Sequence, residues 1–257
     1  MVTRVGVYFD GYNVYYGGRS LFKERTEQWK WYSPRILAKY VVDCIRKTGF
    51  YGQHKQMKET WGDIDFAKIV FCSAKISESR DLQALYDQTS YFNAIQDGNH
   101  IDHLELGRYV SRVKYAPLAI KGSGGRPEVY HSQWPIKVRD KAGVNIDDAT
   151  FLVSYFHSEE KGSDVNLATH LMRDVYENMI DAAIVFSNDS DLSLPVEFVR
   201  SRVPLGIVNP QGQRPHNSLL KNAKNERGDW HFYLTCDAFI RCQMPDTVGK
   251  NSKPPSW

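Results

Sequence analysis

Cysteine is scarce in this sequence, with four in 257 residues: Cys44, Cys72, Cys236 and Cys242. No two are spaced as CxxC and no histidine pair stands at finger spacing, which argues against the common structural zinc motifs. So thin a set reads as free thiols in a reducing, cytoplasmic setting. Long apolar runs are missing too. The start MVTRVGVYFD offers five apolar residues, 5–9, too few for a signal peptide or a membrane span. Charge of one sign is nearly balanced, 33 Lys and Arg against 30 Asp and Glu, leaving +3. That permits a phosphate-rich partner without arguing for one, because dedicated nucleic-acid clamps are more basic. No GxGxxG follows the first apolar run, and the glycine-rich KGSGGRPEVY (121–130) lacks a GKS or GKT ending. Dinucleotide and P-loop fingerprints are therefore absent, and 121–130 reads as a flexible linker.

What remains is an ordinary globular composition, 42% hydrophobic and 25% charged. The chain is long enough for one large domain or two small ones. Aromatics reach 13%, with 15 Tyr. Such rings stack on bases or pack in cores, and composition does not choose.

Short all-apolar runs alternate with helical patterns. VGVYF (5–9), KIVFCSAK (68–75), AAIVF (182–186) and VPLGIVNP (203–210) read as strands buried on both faces of a parallel sheet. Residues 103–111 read as a further strand, and HFYLTCDAF (231–239) as another strand running into a short helix. Residues 33–47 open on Ser-Pro and carry apolar side chains at helical spacing, as do 81–95 and 164–179. Ser193 and Pro195 start a helix through Arg200, and 217–225 form a short helix or turn. The pattern predicts an α/β fold, three layers α/β/α around a mostly parallel sheet. Residues 245–257, rich in Pro, Lys, Ser and Asn, read as a disordered tail. HIDH (100–103) reads as an exposed turn, with metal ligation as its alternative.

Carboxylates gather at the strand ends. Asp10 follows the first strand directly, and VFSNDSDLSLP places Asp189 and Asp191 just past another. Asp164 stands at the start of the helix feeding that strand, as its N-cap candidate. In open parallel sheets ligands sit outside the carboxyl ends of the strands. If the strands at 5–9 and 182–186 are neighbours, these acids share one edge, where like charges repel unless a cation intervenes. Mg²⁺ or Mn²⁺ fits such an all-oxygen set. Each acid also has a plainer reading: Asp10 in an Asp-Gly turn, Asp164 and Asp191 as helix caps. Asn13 and Ser187 lie at the same edge and would offer neutral oxygens to a phosphate or a bound water. The start DGYNV is neither DxDxT nor DxSxS, and an EF-hand counted from Asp189 would need Gly and Glu where Leu194 and Arg200 stand.

FDGYNVYY (9–16), EEKGSDVNLATHLMRDVY (159–176) and DAAIVFSNDSDLSLPVEFVR (181–200) followed by PLGIVNP resemble, in order, the NYN domain, a PIN-like nuclease family with LabA-like members. AKISESRDLQALYDQTSYFNAI (74–95) is similar to the helical stretch of LabA-like proteins. The resemblance covers most of residues 3–240 and implies an NYN/PIN-like domain over 1–244, with a variable insertion around 112–150. It implies metal-binding, catalytic acids at Asp10, Asp164, Asp189 and Asp191, with Asn13 and Ser187 as their polar companions. Asn188 stands where the family commonly has Gly. The implied activity is metal-dependent endoribonuclease cleavage, leaving a 5′-phosphate and a 3′-hydroxyl, with RNA as partner. Substrate contacts would come from Asn13, Ser187, Asn188 and Lys161, and stacking from Tyr12, Tyr15 and Tyr16. A non-catalytic RNA-binding module and a small-phosphoester phosphatase are the alternatives.

Overall fold

The computed structural model describes residues 2–23, 29–48, 55–76, 81–129, 139–146, 151–224 and 227–257. Parts of the expected linker and insertion, 130–138 and 147–150, lie outside them, as do residues 77–80 of the LabA-like stretch. The chain divides into two compact units, 1–108 with 160–257, and 109–159.

The larger unit begins with β1 (Thr3–Asp10), α1 (Gly11–Phe22), α2 (Pro34–Lys47), α3 (Lys55–Trp61), β2 (Ile64–Ala74), α4 (Leu82–Asp97) and the start of β3 (His103–Pro117). The smaller unit holds the rest of β3, the β4 (Ala119–Lys121) and β5 (Pro127–Val129) hairpin, and most of β6 (Leu152–Lys161). The linker expected at 121–130 is thus a hairpin as far as Val129, its turn supplied by Gly124 at φ 68°. The chain returns through α5 (Ser163–Tyr176), β7 (Ala182–Phe186), α6 (Ser193–Arg200), β8 (Leu205–Asn209), β9 (Trp230–Tyr233) and α7 (Cys236–Arg241). It ends in β10 (Thr247–Val248) and β11 (Asn251–Ser252).

In the larger unit the strands follow the order β3-β2-β1-β7-β8-β9, and all five of these pairings are parallel. Strand period sorts the side chains. Val5, Val7 and Phe9 of β1 enter the core with α1, α2, α4 and α7, while Tyr8 faces the core under α5 and α6. The result is the expected three-layer α/β/α arrangement.

Three differences have physical causes. Helix α1 follows Asp10 at once, although Gly11, Gly17 and Gly18 make it a poor helix by propensity. Close packing supplies the reason: a Cβ on Gly11 would lie 2.9 Å from the Cys72 carbonyl oxygen, and one on Gly17 2.6 Å from Pro210. Asp164 is not the N-cap of α5. Gly162, at φ 105°, takes that place, and Asp164 sits in the first turn. Residues 245–257 are ordered rather than a disordered tail. The Trp31 indole donates to the Pro245 carbonyl at 2.8 Å, Asn251 donates to Asp97 at 2.8 Å, and the Trp257 ring packs 6.2 Å from Trp31 and Tyr91. The buried aromatic surface outweighs the polar composition there. No helix among the described residues is long and apolar enough to cross a membrane. All four cysteines are free.

Candidate functional site at the carboxyl edge of the sheet

β1 and β7 are neighbours in parallel register, Phe9 opposite Phe186. The next residues of each strand, Asp10 and Ser187, therefore meet at the carboxyl edge. The Ser187 hydroxyl donates to Asp10 Oδ2 at 2.8 Å and accepts from the Asp189 amide at 3.0 Å. One hydroxyl thus ties the end of β1 to the loop after β7. Asp10 also caps α1, its Oδ1 accepting from the Asn13 amide at 2.9 Å. The Asp-Gly pair is therefore a strand-to-helix junction, with Asp10 as the cap. Asn13 Oδ1 accepts from the Asn188 amide at 3.0 Å, and Asn188 Oδ1 accepts from the His216 amide at 2.7 Å. Asn13, Ser187 and Asn188 are thereby engaged in holding the loops together.

Asp189 caps the short 3₁₀ turn Ser190–Leu192, its Oδ1 accepting from the Asp191 amide at 2.9 Å. Asp191 itself is exposed. Asp164 is half-buried on the first turn of α5 and Lys161 is exposed at the end of β6. The turn between them is fixed by Glu160, which accepts from the Ser163 amide and hydroxyl at 3.0 and 2.8 Å. Gly107 lets β3 approach that turn, since a Cβ there would lie 2.6 Å from the Lys161 carbonyl.

Asp10 is 3% exposed. Burial pushes its carboxyl up to about 7, the hydrogen bonds from Asn13 and Ser187 pull it back, and the charges of Asp164 and Asp189 push it up again. Burial raises Asp164 to about 6, helped by Asp189, Glu160 and Asp191. Three of the four sequence-derived acids thus act on one another at this edge, and Asp191 acts on Asp164. Among the described residues the four aspartates do not bring three donor oxygens within 4.8 Å of one another. A hard cation here would be held by one or two carboxylates and complete its shell with water, the habit of Mg²⁺. The donor set fits such an ion: it is all oxygen, buried at its centre and short of positive charge.

Sequence reasoning missed Glu160 and the Asn188–His216 tie. The pair Glu159-Glu160 before GSD was a local signal for the first, while the second depends on tertiary packing. Tyr12 is half-buried, its hydroxyl donating to the Ala74 carbonyl at 3.1 Å, whereas Tyr15 and Tyr16 are 40% and 54% exposed.

Over its whole length the chain is similar to 6-hydroxy-3-succinoylpyridine 3-monooxygenase HspA of Pseudomonas putida (strain DSM 28022 / S16), 27% identical over 268 residues, covering 99% of this chain and 75% of that protein. A crystal structure of a protein of unknown function from Vibrio parahaemolyticus RIMD 2210633 aligns over 92% of this chain and 95% of its own, at 13% identity and a TM-score of 0.41, too low to carry an argument. The NYN domain model matches residues 85–226, more than half of the chain and including Asp164, Asp189 and Asp191. The chain belongs to the NYN domain family, within the PIN-like nuclease superfamily.

Proposed function

We propose that this protein is a metal-dependent endoribonuclease whose catalytic centre is the carboxyl edge of β1 and β7. The observation that carries the reading is Asp10: a nearly fully buried carboxylate whose hydrogen-bond donors are neutral and whose charged neighbours, Asp164 and Asp189, are of its own sign. Asp10 and Asp189 are the residues that would hold Mg²⁺ or Mn²⁺, with Asp164 beside them and Asp191 at the rim. Such an ion, when bound, lowers the pKa of its water and neutralises charge developing on a phosphodiester. Ser187 keeps Asp10 and Asp189 in register, and Asn13 with Asn188 braces the loop that carries them. Lys161, exposed at the end of β6 and three residues before Asp164, would be the phosphate contact. Helix α1 starts at Asp10 and carries the exposed Tyr16, with Arg19, Ser20 and Lys23 around a shallow cavity of about 470 Å³. At 1.5 Å per residue these side chains begin roughly 9 Å from Asp10. Such side chains would offer a single-stranded RNA an aromatic ring to stack on and cations for its phosphates. The four free thiols accord with a cytoplasmic setting.

The test is incubation of pure protein with single-stranded RNA and Mn²⁺, alongside Asp10→Asn and Asp189→Asn. Wild type should cleave internally and both variants should lose at least about 100-fold in rate. Absence of cleavage by wild type, or equal cleavage by the variants, refutes the nuclease reading. A second reading follows from the Pseudomonas putida relative, whose name describes oxygenation of a hydroxypyridine. Dioxygen uptake that requires 6-hydroxy-3-succinoylpyridine and a reductant, without RNA cleavage, would establish it instead.

A further inference from the structure

A second cluster of donor atoms lies on the same face of the sheet. The register sets Asp10 opposite Cys72 and Cys72 opposite Glu105, so these residues form one row across β1, β2 and β3. His103 and Glu105, two apart on β3, project to the same side. His170, on α5, reaches down to them. Glu105 Oε2 lies 2.9 Å from His103 Nε2 and 3.3 Å from His170 Nε2, and the imidazole centroids are 4.8 Å apart. Each residue offers a donor atom within 4.8 Å of the others. His170 is 12% exposed and its buried Nδ1 has no hydrogen-bond partner among the described residues, while the Glu105 and His103 side chains are 37% and 43% exposed. The trio therefore has a closed inner side and an open mouth.

We propose that His103, Glu105 and His170 form a binding site for one divalent first-row transition-metal ion, separate from the aspartate edge. Two imidazoles and one carboxylate suit Zn²⁺, Fe²⁺ or Co²⁺ and not Mg²⁺, whose preferred ligands are carboxylate and water. Three protein donors with an exposed mouth leave coordination positions for water or a small substrate, as in catalytic rather than structural sites. Glu105 stands two strands from Asp10, roughly 10 Å at the usual inter-strand spacing. Paired catalytic metals sit about 4 Å apart, so this is a second centre and not the other half of the first. The same donor set holds iron(II) in oxygenases. The site itself does not depend on the nuclease reading, which RNA cleavage tests on its own.

The experiment is a Co²⁺ titration of metal-stripped protein, read by visible d–d absorption and followed by competition with Zn²⁺. Asp10→Asn should bind one equivalent that Zn²⁺ displaces, and wild type that same equivalent beside any Co²⁺ taken up at the aspartate edge. Glu105→Gln and His170→Ala should weaken binding at least about tenfold, as should His103→Ala, which alters a partly exposed side chain and leaves the core intact. Circular dichroism of the metal-stripped variants checks the fold. No absorption from wild type at millimolar Co²⁺, unchanged binding in all three cluster variants, or loss of binding in Asp10→Asn would each overturn the proposal.

Discussion

Two buried aspartates on the α5 side of one sheet are treated in opposite ways. Asp174, fully buried on α5, accepts from the Lys68 ammonium at 2.8 Å and from the Tyr8 hydroxyl at 2.9 Å. Its charge is matched within the chain. Asp10, nearly as buried, receives an amide and a hydroxyl, and its charged neighbours repel it. The same fold supplies a cation for one carboxylate and places more carboxylates beside the other. A buried unmatched charge costs several kcal/mol, and an arrangement that is costly alone but favourable around a cation is the electrostatic signature of a binding site.

The largest effect should come from breaking the matched pair. Asp174→Ala leaves Lys68 beneath α5 without its partner, and a loss of about 3–5 kcal/mol is expected, read from urea denaturation. The unmatched aspartate should respond with the opposite sign. Asp10 titrates near 7 in the fold against 3.8 for the ordinary group. Between those values the native state retains a proton that the unfolded chain has lost, so stability falls as pH rises from about 4 to about 7 and stays low above. Asp10→Asn removes that slope. At pH 8, without divalent ions, it should be more stable than wild type by on the order of 2–4 kcal/mol, and at pH 4 the difference should vanish. Equal denaturation midpoints at both pH values would erase the contrast between the two aspartates.

Ser187→Ala deletes a donor to Asp10, so the carboxyl should titrate still higher. A stability loss of about 1–2 kcal/mol is expected at pH 8, with the acid limb of the cleavage profile moved to higher pH. An unmoved profile would make Ser187 a loop brace alone. Smallest of all should be Asp191→Asn, a change at an exposed rim residue. It should slow cleavage far less than Asp189→Asn, and parity of the two variants would put Asp191 at the centre.

The parts of this contrast were unequally legible in the sequence. The central strands read directly, because a strand covered by helices on both faces must be apolar throughout, as VGVYF and AAIVF are. The edge shared by Asp10 and Asp189 followed once β1 and β7 were neighbours, a condition that the register meets. Helix α1 was hidden because its glycines are explained only by what they touch, Cys72, Pro210 and Trp29. The C-terminal hairpin was hidden by a polar composition, because its anchors (the Pro245 carbonyl, Asn251 and the Trp257 ring) meet partners far away in the chain. Lys68 and Asp174 stand 106 residues apart, and no local pattern joins them. The alternation His103-Leu104-Glu105 was a readable signal on a strand, but its third partner, His170, comes from a helix that only the tertiary fold brings near.

The most direct test of the unmatched carboxylate is thermal unfolding at pH 8 with and without Mg²⁺, a hard ion that the imidazole-rich cluster does not favour. Millimolar Mg²⁺ should raise the wild-type midpoint by several degrees, since a ligand at about tenfold its Kd adds about 1.4 kcal/mol, and should leave Asp10→Asn unmoved. An equal Mg²⁺ shift in both proteins, or none in wild type, would contradict the account.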